Sequence, residues 1–252
     1  MQKRARLVLS REIFSVESPA AARGALRTRR EVRRRKLGAH RDRHGAGQSE
    51  GVPRGQYLIG DRFPILTYGS TPKFHPDVWH FMLGGLVEKP LKFTWEEWNE
   101  LPKAEAKADM HCVTSWSKLD NIWMGVQAKY LLELAKPKPT ARFFFVFCDG
   151  SYTTNAPVEE LYEEDALFAT HHNRKPLEPE HGYPLRLVIP RLYAWKSAKW
   201  VRGIELIAED KPGFWEQNGY HIYGDPWREQ CYSFTFRASK RLERAEIGEG
   251  FL

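Results

Sequence analysis

Cys112 stands in a passage dense with reactive side chains, DMHCVTSWSKLDNIWMG (109–125). Asp109 and His111 precede it, and Trp116 and Trp123 follow. The cysteine has three chemical readings. With His111, His171 or His172 as a base it is a thiol nucleophile. As a thiolate it is a soft metal ligand. Buried alone it is a core residue, the default for an isolated cysteine. Asp109 and His111 fall on one face of a continuous strand, where they could support the sulfur from behind. His171 and His172 are adjacent, so on a strand they point to opposite faces and do not easily share one ion.

A second cluster lies well downstream, in HHNRKPLEPEHGYPLRLVIPRLYAWKSAKWVRGIEL (171–206). It holds His181, Arg186, Lys196 and Lys199, with Gly182 and Pro184 setting a turn. Arginine offers phosphate a rigid two-pronged fork, and lysine offers a point charge. Ser197 adds a hydroxyl. The set suits an anionic, phosphate-bearing ligand; a solvated basic turn is the plainer alternative.

These residues need elements to hold them. The folded body begins near YLIGDRFPILTYG (57–69). VWHFMLGGLV (78–87) reads as a strand or hairpin arm. TWEEWNELP (94–102) opens with Thr94 and Glu97 in capping-box spacing, which predicts a short helix. MHCVT is a strand end running into a loop. VQAKYLLELAK (126–136) has helical periodicity and stops at Pro137. ARFFFVFCDG (141–150) is a continuous apolar run closed by Asp-Gly, the pattern of a fully buried strand. PVEELYEEDALFAT mixes a helical turn with a strand, and LRLVIP (185–190) and AKWVRGIELIAED (198–210) read as strands. There is no repeat and no regular βαβ alternation, so the fold class expected is α+β, a mixed α/β architecture in a single domain.

Composition narrows the setting. Hydrophobic residues make up 42% and charged residues 28%, an ordinary soluble balance. No stretch approaches the roughly 20 apolar residues of a membrane span. Cys112, Cys148 and Cys231 form no CxxC pair, which argues against a disulfide framework, structural zinc or attached haem, and for a reducing compartment. The net charge of +7 is local. Residues 1–50 carry 14 Lys/Arg against 5 Asp/Glu, while the remaining 202 carry 25 against 27. The chain therefore reads as a basic, disordered arm (1–55), a body (56–235) and a C-terminal tail (236–252). Nucleic acid is not an expected partner. A binding protein that uses the arm to reach nucleic acid or an acidic redox partner is the alternative of another class.

The segments CVTSWS…WMGV, ATHHNRKPLEPEHGYPLRLVIPRLYAWKSAKWVRGIEL and GFWEQNGYH together resemble the molybdopterin-binding domain of the sulfite oxidase family. The likeness is nearest to its small, haem-free bacterial members, methionine-sulfoxide reductases among them, and covers about residues 57–235. It implies the sulfite oxidase fold around one molybdenum. The metal is held there by the dithiolene of molybdopterin, by oxo or hydroxo ligands, and by one cysteine thiolate, matched here by Cys112. The residues matching His181, Arg186, Ser197 and Lys199 hold the phosphate and polar edges of the pterin. Lys196, Asn173 and His172 lie in the same motifs. Thr67 and Tyr68 match a cofactor-contacting loop. Cys148 falls near a position that touches the cofactor region, a core cysteine at a strand end being the alternative.

The resemblance implies two-electron oxygen-atom transfer on a small sulfur- or nitrogen-containing substrate, as an oxidase or as an S- or N-oxide reductase. Sulfite-oxidising members carry arginines just after the cysteine; this chain reads CVTSWSKLD, so a sulfite site is not expected. No haem domain, appended dimerisation domain or twin-arginine signal is recognised. The expectation is a cytoplasmic monomer with no haem, passing electrons to or from a separate redox partner.

Overall fold

A computed structural model of the protein describes residues 50–233. The chain divides into two units, 1–48 and 49–252, and the described residues belong to the second. The expectations for the basic arm up to residue 49 and for the tail 236–252 lie outside the described residues.

Two mixed sheets dominate the described residues, and helices among them are few and short. The six-stranded sheet holds β1 (Tyr57–Leu58), β4 (Ala104–Cys112), β5 (Trp116–Gln127), β8 (Leu167–His172), β9 (Lys175–Pro176) and β10 (Arg186–Val188). The five-stranded sheet runs β3 (Leu91–Thr94), β2 (His80–Gly85), β11 (Val201–Ile207), β6 (Phe143–Cys148) and β7 (Thr153–Pro157). The β1–β5 and β2–β11 pairs are parallel, and the other strand pairs are antiparallel.

The capping box forms as expected. Thr94 Oγ1 accepts the Glu97 N–H at 3.2 Å, and the Glu97 carboxylate accepts the Thr94 N–H at 2.8 Å. It opens helix α1 (Trp95–Glu100), which drops Trp98 fully into the core. Helix α2 (Ala128–Ala135) starts two residues later than its periodicity suggests. Val126 and Gln127 are taken by pairing with β8. Lys136 then turns left-handed, at φ 55°, ahead of Pro137. A short helix α3 (Phe214–Gln217) follows β11.

Side-chain alternation divides the apolar residues into two clusters. The larger packs Phe81, Leu83, Phe144, Val146, Ile204 and Leu206 of the five-stranded sheet against Val126, Phe168 and Leu187 of the six-stranded one. The smaller lies on the opposite face of the six-stranded sheet and contains Met110, Cys112, Trp116, Trp123, Leu167, Ala169 and Val188. The cysteine therefore sits on the face turned away from the main core. Gly125 permits the sheet geometry there. It lies where β5 and β8 shift register, and a Cβ would meet the Phe168 carbonyl oxygen at 2.1 Å.

Two strands escape a reading from pattern. β5 includes Lys118, Asp120 and Asn121, yet Lys118 and Asn121 are buried because strands flank β5 on both sides. β7 reads TTNAP, a weak strand sequence, and is almost wholly buried against β6 and α3.

Candidate functional site

Cys112 ends β4 and faces Trp116 across the hairpin that leads into β5. It is 6% exposed. The turn between them is tightly held. Cys112 C=O accepts the Ser115 N–H at 2.9 Å, and Ser115 takes φ 69°. Gln56 Nε2 also donates to that carbonyl, at 3.4 Å. The Thr114 hydroxyl donates to Cys112 Sγ at 3.2 Å. Behind the turn, Ser117 donates to Gln56 Oε1, and His111 Nδ1 pairs with Ser117 Oγ at 2.9 Å. Burial lowers the His111 pKa, with Asp109 opposing the shift.

Asp109 does not share this environment. A register shift between Ala108 and Met110 sends its carboxylate to the Asp120 N–H at 2.8 Å, while His111 stays buried. The single face expected for Asp109 and His111 is broken by that bulge.

The second cluster gathers on Phe63. Its ring stacks on His181 at 4.4 Å and lies 4.9 Å from His172. It meets Trp116 and Trp123 edge-on at 6.4 Å and 6.1 Å. The Arg186 guanidinium lies over both Phe63 and Trp123, at 5.7 Å and 5.3 Å. Arg186 Nη1 donates to His181 C=O and Nη2 to Ser197 C=O, each at 3.0 Å. Lys199 pairs with Arg186 in a bridge and donates to Glu180 C=O at 2.7 Å. Gly182 makes this approach possible, because a Cβ there would lie 3.0 Å from Arg186 Cβ and 3.2 Å from Lys199 Cβ. Its φ of 113° adds a second reason for glycine. Ser197 Oγ accepts the Ile189 N–H, so this hydroxyl also fixes backbone.

The electrostatics are those of crowded, desolvated cations. Burial pulls Arg186 down to about 10 and Lys199 down to about 7, with Arg186 adding to the shift on Lys199. Burial, then Arg186, Lys118 and His181, pulls His172 down to about 4. His172 Nε2 sits 2.9 Å from Asn121 Oδ1. Among the described residues, no carboxylate forms an ion pair with Arg186, Lys118 or Lys199.

The other candidates lie apart from this cluster. Asn173 is an exposed turn residue at φ 48°, and its Oδ1 accepts the Ile122 N–H at 2.9 Å. Lys196 is fully buried, bonded to Asn155 C=O and Ile222 C=O and paired with Glu216 at 2.7 Å. Tyr68 packs on Phe214 at 4.3 Å, and Thr67 precedes it on the same half-buried segment. Cys148 ends β6, its N–H donating to Tyr152 C=O, and burial raises its thiol well above the ordinary range. Pattern reading missed Phe63, Lys118, Asn121 and Thr114. Phe63 sits in an irregular stretch with no periodicity, and the other three needed the β5 pairing to be known.

An oxidoreductase molybdopterin binding domain matches residues 68–215. The chain belongs to that family. An uncharacterised oxidoreductase, YuiH, of Bacillus subtilis is 44% identical over 189 residues, 74% of this chain and 94% of that protein. The protein-methionine-sulfoxide reductase catalytic subunit MsrP of Campylobacter jejuni is 29% identical over 168 residues, covering 60% and 56%. Sulfite oxidase of Arabidopsis thaliana is 29% identical over 199 residues, covering 65% and 51%. The chain thus spans about half the length of the last two. Among solved structures, the sulfane dehydrogenase SoxCD from Paracoccus pantotrophus aligns with a TM-score of 0.50 at 25% identity, over 55% of this chain and 40% of that one. The mixed sheets with few helices are the sulfite oxidase molybdopterin-binding fold.

The residues present fit such a cofactor. Trp116 Nε1, Trp123 Nε1 and Arg186 Nε are buried N–H groups without acceptors among the described residues, and all three border the Phe63 cluster. Orphaned buried donors are costly, and a ligand rich in phosphate and carbonyl acceptors relieves them. A thiol at Cys112 is a soft donor of the kind molybdenum favours. Among the described residues, no group of three or more His, Cys, Asp or Glu side chains gathers to hold a metal.

Proposed function

We propose that this molybdopterin oxidoreductase performs two-electron oxygen-atom transfer on a small sulfur- or nitrogen-containing substrate, with Cys112 as the one protein ligand to molybdenum. The observation that carries the reading is the meeting of two sequence-distant halves on one aromatic cluster. Cys112 and Trp116 close a hairpin on one side, and His181 and Arg186 stack on Phe63 from the other. Bound there, the cofactor supplies the redox centre and the transferable oxygen.

The chain's own residues then have separable roles. Arg186 and Lys199, with His181 beside them, hold negative charge in a desolvated setting where it interacts strongly. His172 stays neutral and oriented by Asn121, so it donates or accepts without adding charge. Thr67, Tyr68, Ser197 and Cys148 remain candidate cofactor contacts. Asn173 and Lys196 act through backbone and ion-pair anchoring of the same segments.

A reductase acting on S- or N-oxides is the second reading of direction. The segment after Cys112 supplies one buried cation, Lys118, in place of an arginine cluster, and this weakens a sulfite site. Electrons pass to or from a separate partner without haem in this chain; one relative bears the name of a catalytic subunit, which supports that arrangement. Among the described residues no helix is long and apolar enough to cross a membrane. Among the described residues no disulfide joins Cys112, Cys148 or Cys231, which supports a reducing, cytoplasmic setting.

The test is metal content with a substrate panel. Purified protein should carry about one molybdenum per chain, and sulfite, sulfoxides and amine N-oxides should be turned over by one redox form. Metal-free protein with thiol-dependent hydrolytic activity would defeat the reading.

A further inference from the structure

The hydrogen bond between Thr114 and Cys112 has a geometry that the turn imposes. Cys112 C=O is held twice, by the Ser115 N–H and by Gln56 Nε2, so the residue cannot rotate away from the turn. Ser115 sits at φ 69°, which bends the chain back and leaves the Thr114 side chain over the sulfur it follows by two residues. Tyr57 N–H donates to Ser115 C=O at 3.1 Å and ties the far side of the turn to β1. The Thr114 hydroxyl therefore reaches Sγ at 3.2 Å on a closed frame. No role for this hydroxyl follows from the fold alone, because the turn is already closed by backbone bonds.

We propose that Thr114 is a positioning and tuning residue for the metal centre: its hydroxyl donates to the Cys112 sulfur and draws electron density away from the metal. The inference rests on the reading of Cys112 as the molybdenum ligand. A hydrogen bond to a ligating sulfur reduces its donation to the metal and raises the reduction potential. No proton is transferred; the same bond persists in both oxidation states and is stronger in the reduced one, where the sulfur carries more negative charge.

The experiment compares Thr114→Val, which keeps shape and removes the hydroxyl, with Thr114→Ser, which keeps the hydroxyl. Both are made in the full chain, loaded with cofactor. Metal content, the reduction potential and the Mo(V) paramagnetic signal are read beside turnover. We expect unchanged molybdenum content in both variants. Thr114→Val should show a lower potential, equivalent to an on the order of tenfold shift toward oxidised metal, and an altered paramagnetic signal. Thr114→Ser should match the parent. An unchanged potential and signal in Thr114→Val, at full metal content, would overturn the proposal. Failure of the underlying reading looks different: Cys112→Ser would then keep the parent's potential and paramagnetic signal. If Thr114→Val misfolds, Thr114→Ser and Thr114→Cys decide instead. The proposal requires Ser at the parent potential and Cys, a weaker donor, displaced below it; equal potentials for the two overturn it.

Discussion

Arg186 donates to the main-chain carbonyl of His181 at 3.0 Å, and so binds its own turn before it binds any ligand. Its second nitrogen does the same for Ser197. The fork is thereby oriented in advance, with Nε left without an acceptor among the described residues. Preorganisation of this kind lowers the entropic cost of binding.

Arg186→Lys should therefore lose more than a hydrogen bond. Lysine cannot reach both carbonyls and present a third donor. We expect cofactor content to fall by about tenfold or more and the cofactor-free fold to lose about 1–3 kcal/mol. Metal and pterin analysis, with denaturant unfolding of the cofactor-free protein, measures both. Undiminished cofactor content would remove Arg186 from the phosphate-binding role.

His172 predicts an acid-sensitive step. Its folded-state pKa is about 4, below the ordinary value of 6.5, because burial and the neighbouring cations disfavour the charged ring. Between those values the unfolded chain binds more protons than the folded one. Stability is thus full above pH 6.5 and declines as the pH falls toward 4. Unfolding midpoints of cofactor-free protein across that window should fall for the parent and fall less for His172→Gln. Parallel curves would show that another group carries the slope.

The buried pair of Lys196 and Glu216 should behave as structure. Their side chains are 0% and 2% exposed, and Glu216 Oε1 also accepts from Trp195 Nε1. Lys196→Met strands a buried carboxylate and should cost about 3–5 kcal/mol. The double variant Lys196→Met, Glu216→Leu should recover most of that loss. Equilibrium unfolding of the single and double variants checks the coupling, and simple additivity would contradict it.

How much of this was legible in the residues follows from what each signal depends on. The capping box at Thr94 and Glu97 and the apolar run before Cys148 are local patterns, and both formed where they were read, although Phe143, Phe147 and Cys148 are half-buried where full burial was expected. The motifs around Cys112, Arg186 and Lys199 carried the family and hence the sheet architecture. β5 was not legible, because its Lys118 and Asn121 are polar residues buried only by strands on either side. The bulge that separates Asp109 from His111 depends on β5 pairing too. Phe63 has no local signature, since its importance lies in the rings that long-range folding brings to it. Lys196 looked like a ligand-binding cation, and only the tertiary structure reveals Glu216 beside it.

The central claim is that Cys112 ligates the metal, and molybdenum K-edge absorption of the parent and Cys112→Ser proteins tests it most directly. The account predicts a folded variant whose spectrum has lost one sulfur neighbour, with turnover lost as well. An unchanged sulfur shell with retained turnover would contradict it.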